Sequence, residues 1–96
     1  MLEIRLNCEN CDKPLPVDSK EAMICTFECT FCRACTEELF ENVCPNCGGG
    51  FEKRPIRPKA HLAKNPPRTD KVLKPVEMEA FVLRREKTKH IPAEER

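Results

Sequence analysis

The sequence predicts a small metal-stabilised α+β module over about residues 1–55, with a short hairpin and one helix. An irregular basic tail should follow over residues 56–96, with a short helix near 76–88. Three observations lead there. Eight of the 96 residues are Cys, and none lies beyond Cys47. Apolar mass is thin, with five Phe and no Trp or Tyr, so a domain of this size needs metal, disulfides or oligomerisation to hold a fold. The charge is also divided: residues 1–50 carry four basic and nine acidic side chains, a balance of −5, whereas residues 51–96 carry thirteen and seven, a balance of +6. A self-sufficient enzyme with a deep pocket is excluded at this size, and an acidic ordered module with a basic tail is expected.

The cysteines fall into four close pairs, Cys8-x2-Cys11, Cys25-x3-Cys29, Cys32-x2-Cys35 and Cys44-x2-Cys47. A Cys-x2-Cys step sets two thiolates on one side of a tight turn, where one metal about 2.3 Å from each sulfur reaches both. Two pairs complete a tetrahedron, so four pairs make two closed sulfur sites with no position left for water. Spacing alone allows the pairs to be filled in sequence order or in alternation. No stretch approaches the roughly 20 apolar residues of a membrane helix, and Glu3 and Arg5 interrupt the start with no apolar region behind them. A cytoplasmic location is therefore expected, where thiols serve metals better than disulfides.

The order and gaps of the eight ligands resemble the cross-braced RING pattern, including Cys29-Thr30-Phe31-Cys32 and Pro45 inside the last pair. The resemblance implies alternation and favours zinc over iron, two ions in all. Cys8, Cys11, Cys32 and Cys35 would hold one, and Cys25, Cys29, Cys44 and Cys47 the other. Within that frame Pro14, Pro16 and Asp18-Ser19 make a turn-rich loop, and residues 22–26 with Phe31 form a hairpin. Residues 36–43 occupy the place of the central helix. Thr36 is its expected cap, Glu37 and Glu38 lie near its positive end, and Leu39, Phe40 and Val43 form its apolar face. The glycines from Gly48 to Gly50 end the module by permitting positive φ.

Met1-Leu2-Glu3, Cys8-Glu9-Asn10-Cys11-Asp12, Phe27-Glu28-Cys29-Thr30-Phe31-Cys32 and Cys44-Pro45-Asn46-Cys47-Gly48-Gly49 together resemble a family of small bacterial proteins catalogued as domain of unknown function 1272. The likeness covers about residues 1–58 and implies a bacterial, cytosolic, zinc-binding protein with RING-like turns and no attached activity.

Binding is the expected role: a structural zinc-binding adaptor for protein or nucleic acid, not an enzyme. A RING-type ubiquitin ligase is one alternative, but Glu9 and Gly48 replace the apolar and basic residues usual after the first and last ligands, and the helix lacks Trp. A Cys-x2-Cys thiol oxidoreductase is another, but it normally sits in a larger βαβ setting. His61 and His90 lie in the tail and read as solvated, and Asp12, Asp18, Glu21 and Glu28 read as a solvated acidic surface.

The tail holds Lys53, Arg54, Arg57, Lys59, Lys64, Arg68, Lys71 and Lys74 against Asp70 alone, broken by Pro55, Pro58, Pro66, Pro67 and Pro75. Prolines deny it a continuous helix. An extended cationic strip without aromatic residues suits phosphates without base stacking. It suits equally a solvated linker, or a strap that folds back on its own thiolate-rich module. After Pro75 the acids come early and the bases late, as a helix prefers. Val76, Met78, Ala80 and Val82 could alternate as a strand instead, and either form would offer Phe81 and Leu83 to a surface.

Overall fold

The computed structural model describes residues 1–96. The expected hairpin is present: β1 (Ala22–Ile24) pairs antiparallel with β2 (Thr30–Cys32), Met23 opposite Phe31. The chain then returns as β3 (Glu52–Lys53) on the other side of β1, so the sheet order is β2-β1-β3. The strands are two or three residues long, and a sheet this short cannot stand alone. What it stands on is an aromatic cluster. Phe31 meets Phe40 edge to face with ring centroids 5.0 Å apart and Phe51 at 5.6 Å, and Phe40 meets Phe81 at 5.3 Å. Edge-to-face pairs of this kind contribute about 0.5–1.5 kcal/mol each beyond the area they bury. Leu15, Ala22, Val43 and six of the cysteines complete the core.

The central helix departs from expectation. Helical backbone begins at Arg33, and the wide turn Cys35–Leu39 closes with the Phe40 N–H donating to the Cys35 carbonyl, five residues back. It stops four residues short of Val43 because Glu41 and Asn42 take φ of 47° and 63°, which no right-handed helix accommodates. Thr36 is therefore not a cap. It is buried one turn inside, and its hydroxyl donates to the Arg33 carbonyl at 2.9 Å. Of the expected apolar face, Phe40 and Val43 are fully buried and Leu39 turns outward.

The tail is not a separate appendage. Helix α1 (Met78–Thr88) forms where expected, the strand alternative does not, and its Phe81 enters the same core as Phe31 and Phe40 while Leu83 stays exposed. The residues before α1 run as a strap along the first turns of the chain. Arg68 N–H donates to the Ile4 carbonyl at 2.8 Å and Lys74 N–H to the Glu9 carbonyl at 2.7 Å, while Asn7 Nδ2 donates to the Val72 carbonyl at 2.8 Å.

Candidate metal centre

Two of the cysteine pairs are built by one backbone design used twice. In the first, Cys8 N–H donates to the Lys13 carbonyl at 2.9 Å and Asp12 N–H to the Cys8 carbonyl at 3.0 Å. In the second, Cys44 N–H donates to the Gly49 carbonyl and Gly48 N–H to the Cys44 carbonyl, both at 2.8 Å. Each knuckle turns on a left-handed residue just after its second cysteine, Asp12 at φ 64° and Gly48 at φ 79°. The residue after that aims its N–H back at the sulfur, as Gly49 does to Cys47 Sγ at 3.4 Å. Glycine is the natural occupant of such a position, and Asp is among the few side chains that tolerate it. The other two pairs use the hairpin. Cys25 and Cys29 bracket its loop, with Glu28 at φ 65° making the turn, and Cys32 and Cys35 span the passage from β2 into the wide helical turn.

These elements bring together Cys8, Cys11, Cys32 and Cys35, whose sulfurs all lie within 4.8 Å of one another. Cys11 and Cys32 are 3.7 Å apart and Cys8 and Cys35 are 3.9 Å apart. Four sulfurs about 2.3 Å from one centre form a tetrahedron with edges of about 3.8 Å, whereas a disulfide would draw a pair to about 2.0 Å. The spacing is that of a shared ion, and the grouping is the alternate one implied by the RING resemblance. A second group gathers Cys25, Cys44 and Cys47. Cys29 is adjacent but its sulfur falls outside that mutual distance, although its thiol interacts with that of Cys25 and its charge is felt at Cys44. Two clusters of soft sulfur donors, buried but for Cys11 and the half-buried Cys47, fit a structural metal-binding module.

Without a cation Cys25, Cys32, Cys35 and Cys44 resist ionisation. Burial pushes Cys25 up to about 11, and burial followed by the neighbouring thiols holds Cys35 and Cys44 higher still. Cys11 differs: burial acts upward on it too, but the Lys13 N–H and the surrounding thiols hold it below its ordinary value. A divalent ion reverses this balance by favouring thiolates, so binding it releases protons.

The groups around the sulfurs were less legible from sequence. Asn10 donates from Nδ2 to Cys35 Sγ at 3.4 Å and accepts at Oδ1 from Val76 N–H at 2.8 Å, tying the strap to the first cluster. Glu9 is buried. Its carboxylate accepts from Thr30 N–H and from Arg5, both at 2.5 Å, so it braces the knuckle against β2 and offers nothing to solvent. Asp12 is not merely solvated either, since it pairs with Lys71 at 2.9 Å, and Glu28 accepts from the Glu3 N–H. His61 and His90 are exposed, as expected.

The profile of the family described as protein of unknown function (DUF1272) matches residues 1–57. The chain belongs to that family. It is also 57% identical over 75 residues to the uncharacterized protein R02474 of Rhizobium meliloti (strain 1021), an alignment covering 78% of this chain and 89% of that protein. At least 18 of those aligned residues must come from beyond residue 57, so the likeness to R02474 reaches into the strap. No solved structure matches the chain significantly.

The basic strip of this DUF1272 protein is only half free. Arg54 is 1% exposed, and its guanidinium donates to the carbonyls of Arg5, Leu15 and Pro16 with no carboxylate near it, so it cannot reach a phosphate. Arg57 donates to the Leu2 and Asn65 carbonyls, Arg68 pairs with Glu3 and Asp70, and Lys71 pairs with Asp12. Lys53, Lys59, Lys64 and Lys74 make no such contact. The signal that could have separated them is the type: the three Arg and one Lys that fold back include every Arg of the strip, and a planar fork of donors suits carbonyl capture where an ammonium does not.

No helix is long and apolar enough to cross a membrane.

Proposed function

We propose that the chain is a non-catalytic adaptor, stapled by two structural zinc ions and presenting a rigid surface to another protein. The observation that supports it most is the first sulfur cluster, where four protein thiols gather with two sulfur–sulfur distances matching the edge of a metal tetrahedron, so that four thiolates would leave no ligand position for substrate. Cys8, Cys11, Cys32 and Cys35 would hold one ion, and Cys25, Cys29, Cys44 and Cys47 the other, with zinc favoured by the alternate pairing. A protein partner is preferred over nucleic acid for two reasons. Half of the cationic strip is engaged by the chain itself, and each Zn(Cys)4 unit would add a charge of about −2 to the module.

Elemental analysis and native mass spectrometry of the purified chain test the first half: two zinc ions and eight free thiols are expected, and chelation should unfold the module. A folded, metal-free chain with four disulfides would overturn it. Affinity capture tests the second half. The zinc-loaded chain should retain one protein at fixed stoichiometry, and the chelated chain should lose it. Retention of nucleic acid alone, with affinity falling steeply in salt, would replace the protein partner.

One observation favours a second reading. Cys11 is exposed and has the depressed thiol, and it lies 3.7 Å from Cys32, as a redox dithiol would. The metal count separates the two readings, because a working dithiol must be free of zinc.

A further inference from the structure

Four of the five Phe side chains share the core, and the fifth does not. Phe27 sits at the tip of the hairpin loop between Cys25 and Cys29 with 72% of its surface in solvent, the most exposed aromatic residue in the chain. The loop behind it is closed by Glu28 N–H donating to the Cys25 carbonyl at 3.0 Å and Cys25 N–H to the Cys29 carbonyl at 3.2 Å. Beside it opens the groove between the hairpin and the C-terminal turn, a space of about 560 Å³ with Phe27 and Phe51 on one flank and Ala93 on the other. Glycine backbone at Gly49 and Gly50 forms its floor.

Two carboxylates in this groove are free of ion pairs. Glu52 and Glu94 line it, are exposed, and enter no ion pair. Cys47 of the second sulfur cluster contributes to the same wall, and as a metal-bound thiolate it would add further negative potential. Arg96 also lines the groove, but its guanidinium is turned to the carbonyls of Ile91, Asn42 and Gly48. Lys53 follows Glu52 on β3, and alternation along a strand directs it to the opposite face. An exposed aromatic anchor in a groove rimmed by unpaired carboxylates is complementary to a cation adjoining an apolar side chain.

We infer that this groove docks a cationic segment of a partner protein. An apolar residue of the segment packs on Phe27, and flanking Lys or Arg residues meet Glu52 and Glu94. The inference rests on the adaptor reading and gives its partner a chemistry. The face is distinct from the strap side of the module, where the chain's own cations already cover the first knuckle.

The test uses the full zinc-loaded chain, isotopically labelled, titrated with a short amidated peptide of alternating Lys and Leu. Two control peptides carry Ser for Leu and Glu for Lys. Amide shifts should cluster at Thr26, Phe27, Gly50 and Glu52. The affinity should fall about tenfold in Phe27→Ser and again in Glu52→Lys/Glu94→Lys, while Lys59→Glu leaves it unchanged. Both controls should bind more weakly. Because Phe27 is exposed, its variant keeps the fold, which the spectrum itself verifies. Shifts centred elsewhere, parent-like affinity in the Phe27 or the Glu variant, or preference for the acidic peptide would overturn the inference. The adaptor reading is decided separately, by capture with the unmodified chain, so capture that survives Phe27→Ser would remove the groove and keep the adaptor.

Discussion

Replacing Arg54 by Met tests whether a residue that looks like a phosphate binder is in fact part of the frame. The guanidinium is buried and satisfies three carbonyls, of Arg5, Leu15 and Pro16, at 2.5, 3.1 and 2.8 Å. Those carbonyls belong to the loops on either side of the first knuckle, so Arg54 pins residues 5–16 to the end of β3. Removing the donors strands the buried Leu15 carbonyl and the part-buried Arg5 carbonyl at about 1–3 kcal/mol each, whereas the Pro16 carbonyl keeps the Ser19 N–H. Part of that is offset, because Met no longer carries a charge into the interior, where burial already lowers the Arg54 pKa. The expected net loss is about 3 kcal/mol, the cost of two acceptors without donors less the relieved burial of the charge. Arg54→Lys should recover little, because an ammonium cannot span three acceptors held by a planar fork. Urea unfolding followed by circular dichroism, with metal in fixed excess, should show a midpoint lowered by roughly 1–3 M, with Lys59→Met as an unshifted control. A stability within about 0.5 kcal/mol of the parent, the range of ordinary surface substitutions, would refute the structural role of Arg54. So would a large loss of polyanion affinity without loss of stability.

Asn10→Ala removes the amide linking Cys35 Sγ to Val76 N–H, and transfer of metal to a chromogenic chelator should quicken about tenfold for one of two equivalents; unchanged biphasic release would count against it. Phe81→Ala should cost about 3–5 kcal/mol and expose α1 to limited proteolysis while the hairpin stays protected, because Phe81 is the buried side chain that anchors the helix to Phe40. Gly48→Ala should destabilise by about 1–2 kcal/mol, since its φ is 79° and an added Cβ would meet Arg84 Nη2 at 2.7 Å. Asp12→Gly at the matching position of the first knuckle should cost far less, its lost pairing with Lys71 being worth about 0–1 kcal/mol. Thermal melts that rank these two the other way would dispute the equivalence of the knuckles.

What was legible in the sequence was local. A Cys-x2-Cys turn needs six residues and their own hydrogen bonds, so the knuckles at Cys8 and Cys44 follow from spacing and a permissive residue after each. The alternate grouping needed a resemblance, because both pairings are compatible with the gaps. The helix boundary was misplaced because Glu41 gives no sign of left-handed backbone and Asn42, a residue that tolerates it, falls inside the expected helix; their conformation serves the chain's return to the buried Val43. Arg54 and Arg57 read as solvent cations since their acceptors are main-chain carbonyls, which no side-chain pattern reveals. The strap was one of three readings of the same charges, and what decides it is Phe81, whose partner Phe40 lies forty-one residues earlier.

The two knuckles share a backbone but differ in cover, and ionic strength should tell them apart. The first is overlaid by the strap through main-chain and amide hydrogen bonds, from Arg68 N–H, Lys74 N–H, Asn7 and Asn10, which mobile ions scarcely affect. Beyond the Phe81 anchor, the second is held largely by half-buried cations: Arg85 and Lys89 on Glu41, and Arg96 on the carbonyls of Asn42 and Gly48. Such contacts are individually worth about 0–1 kcal/mol, and salt at 0.15 M already screens charges beyond about 8 Å. Rising salt should therefore loosen the Ala93–Glu95 turn, the Ala93 wall of the groove, before it touches the strap. The cell's ionic composition would then set how wide that groove stands, while the first sulfur cluster stays covered throughout.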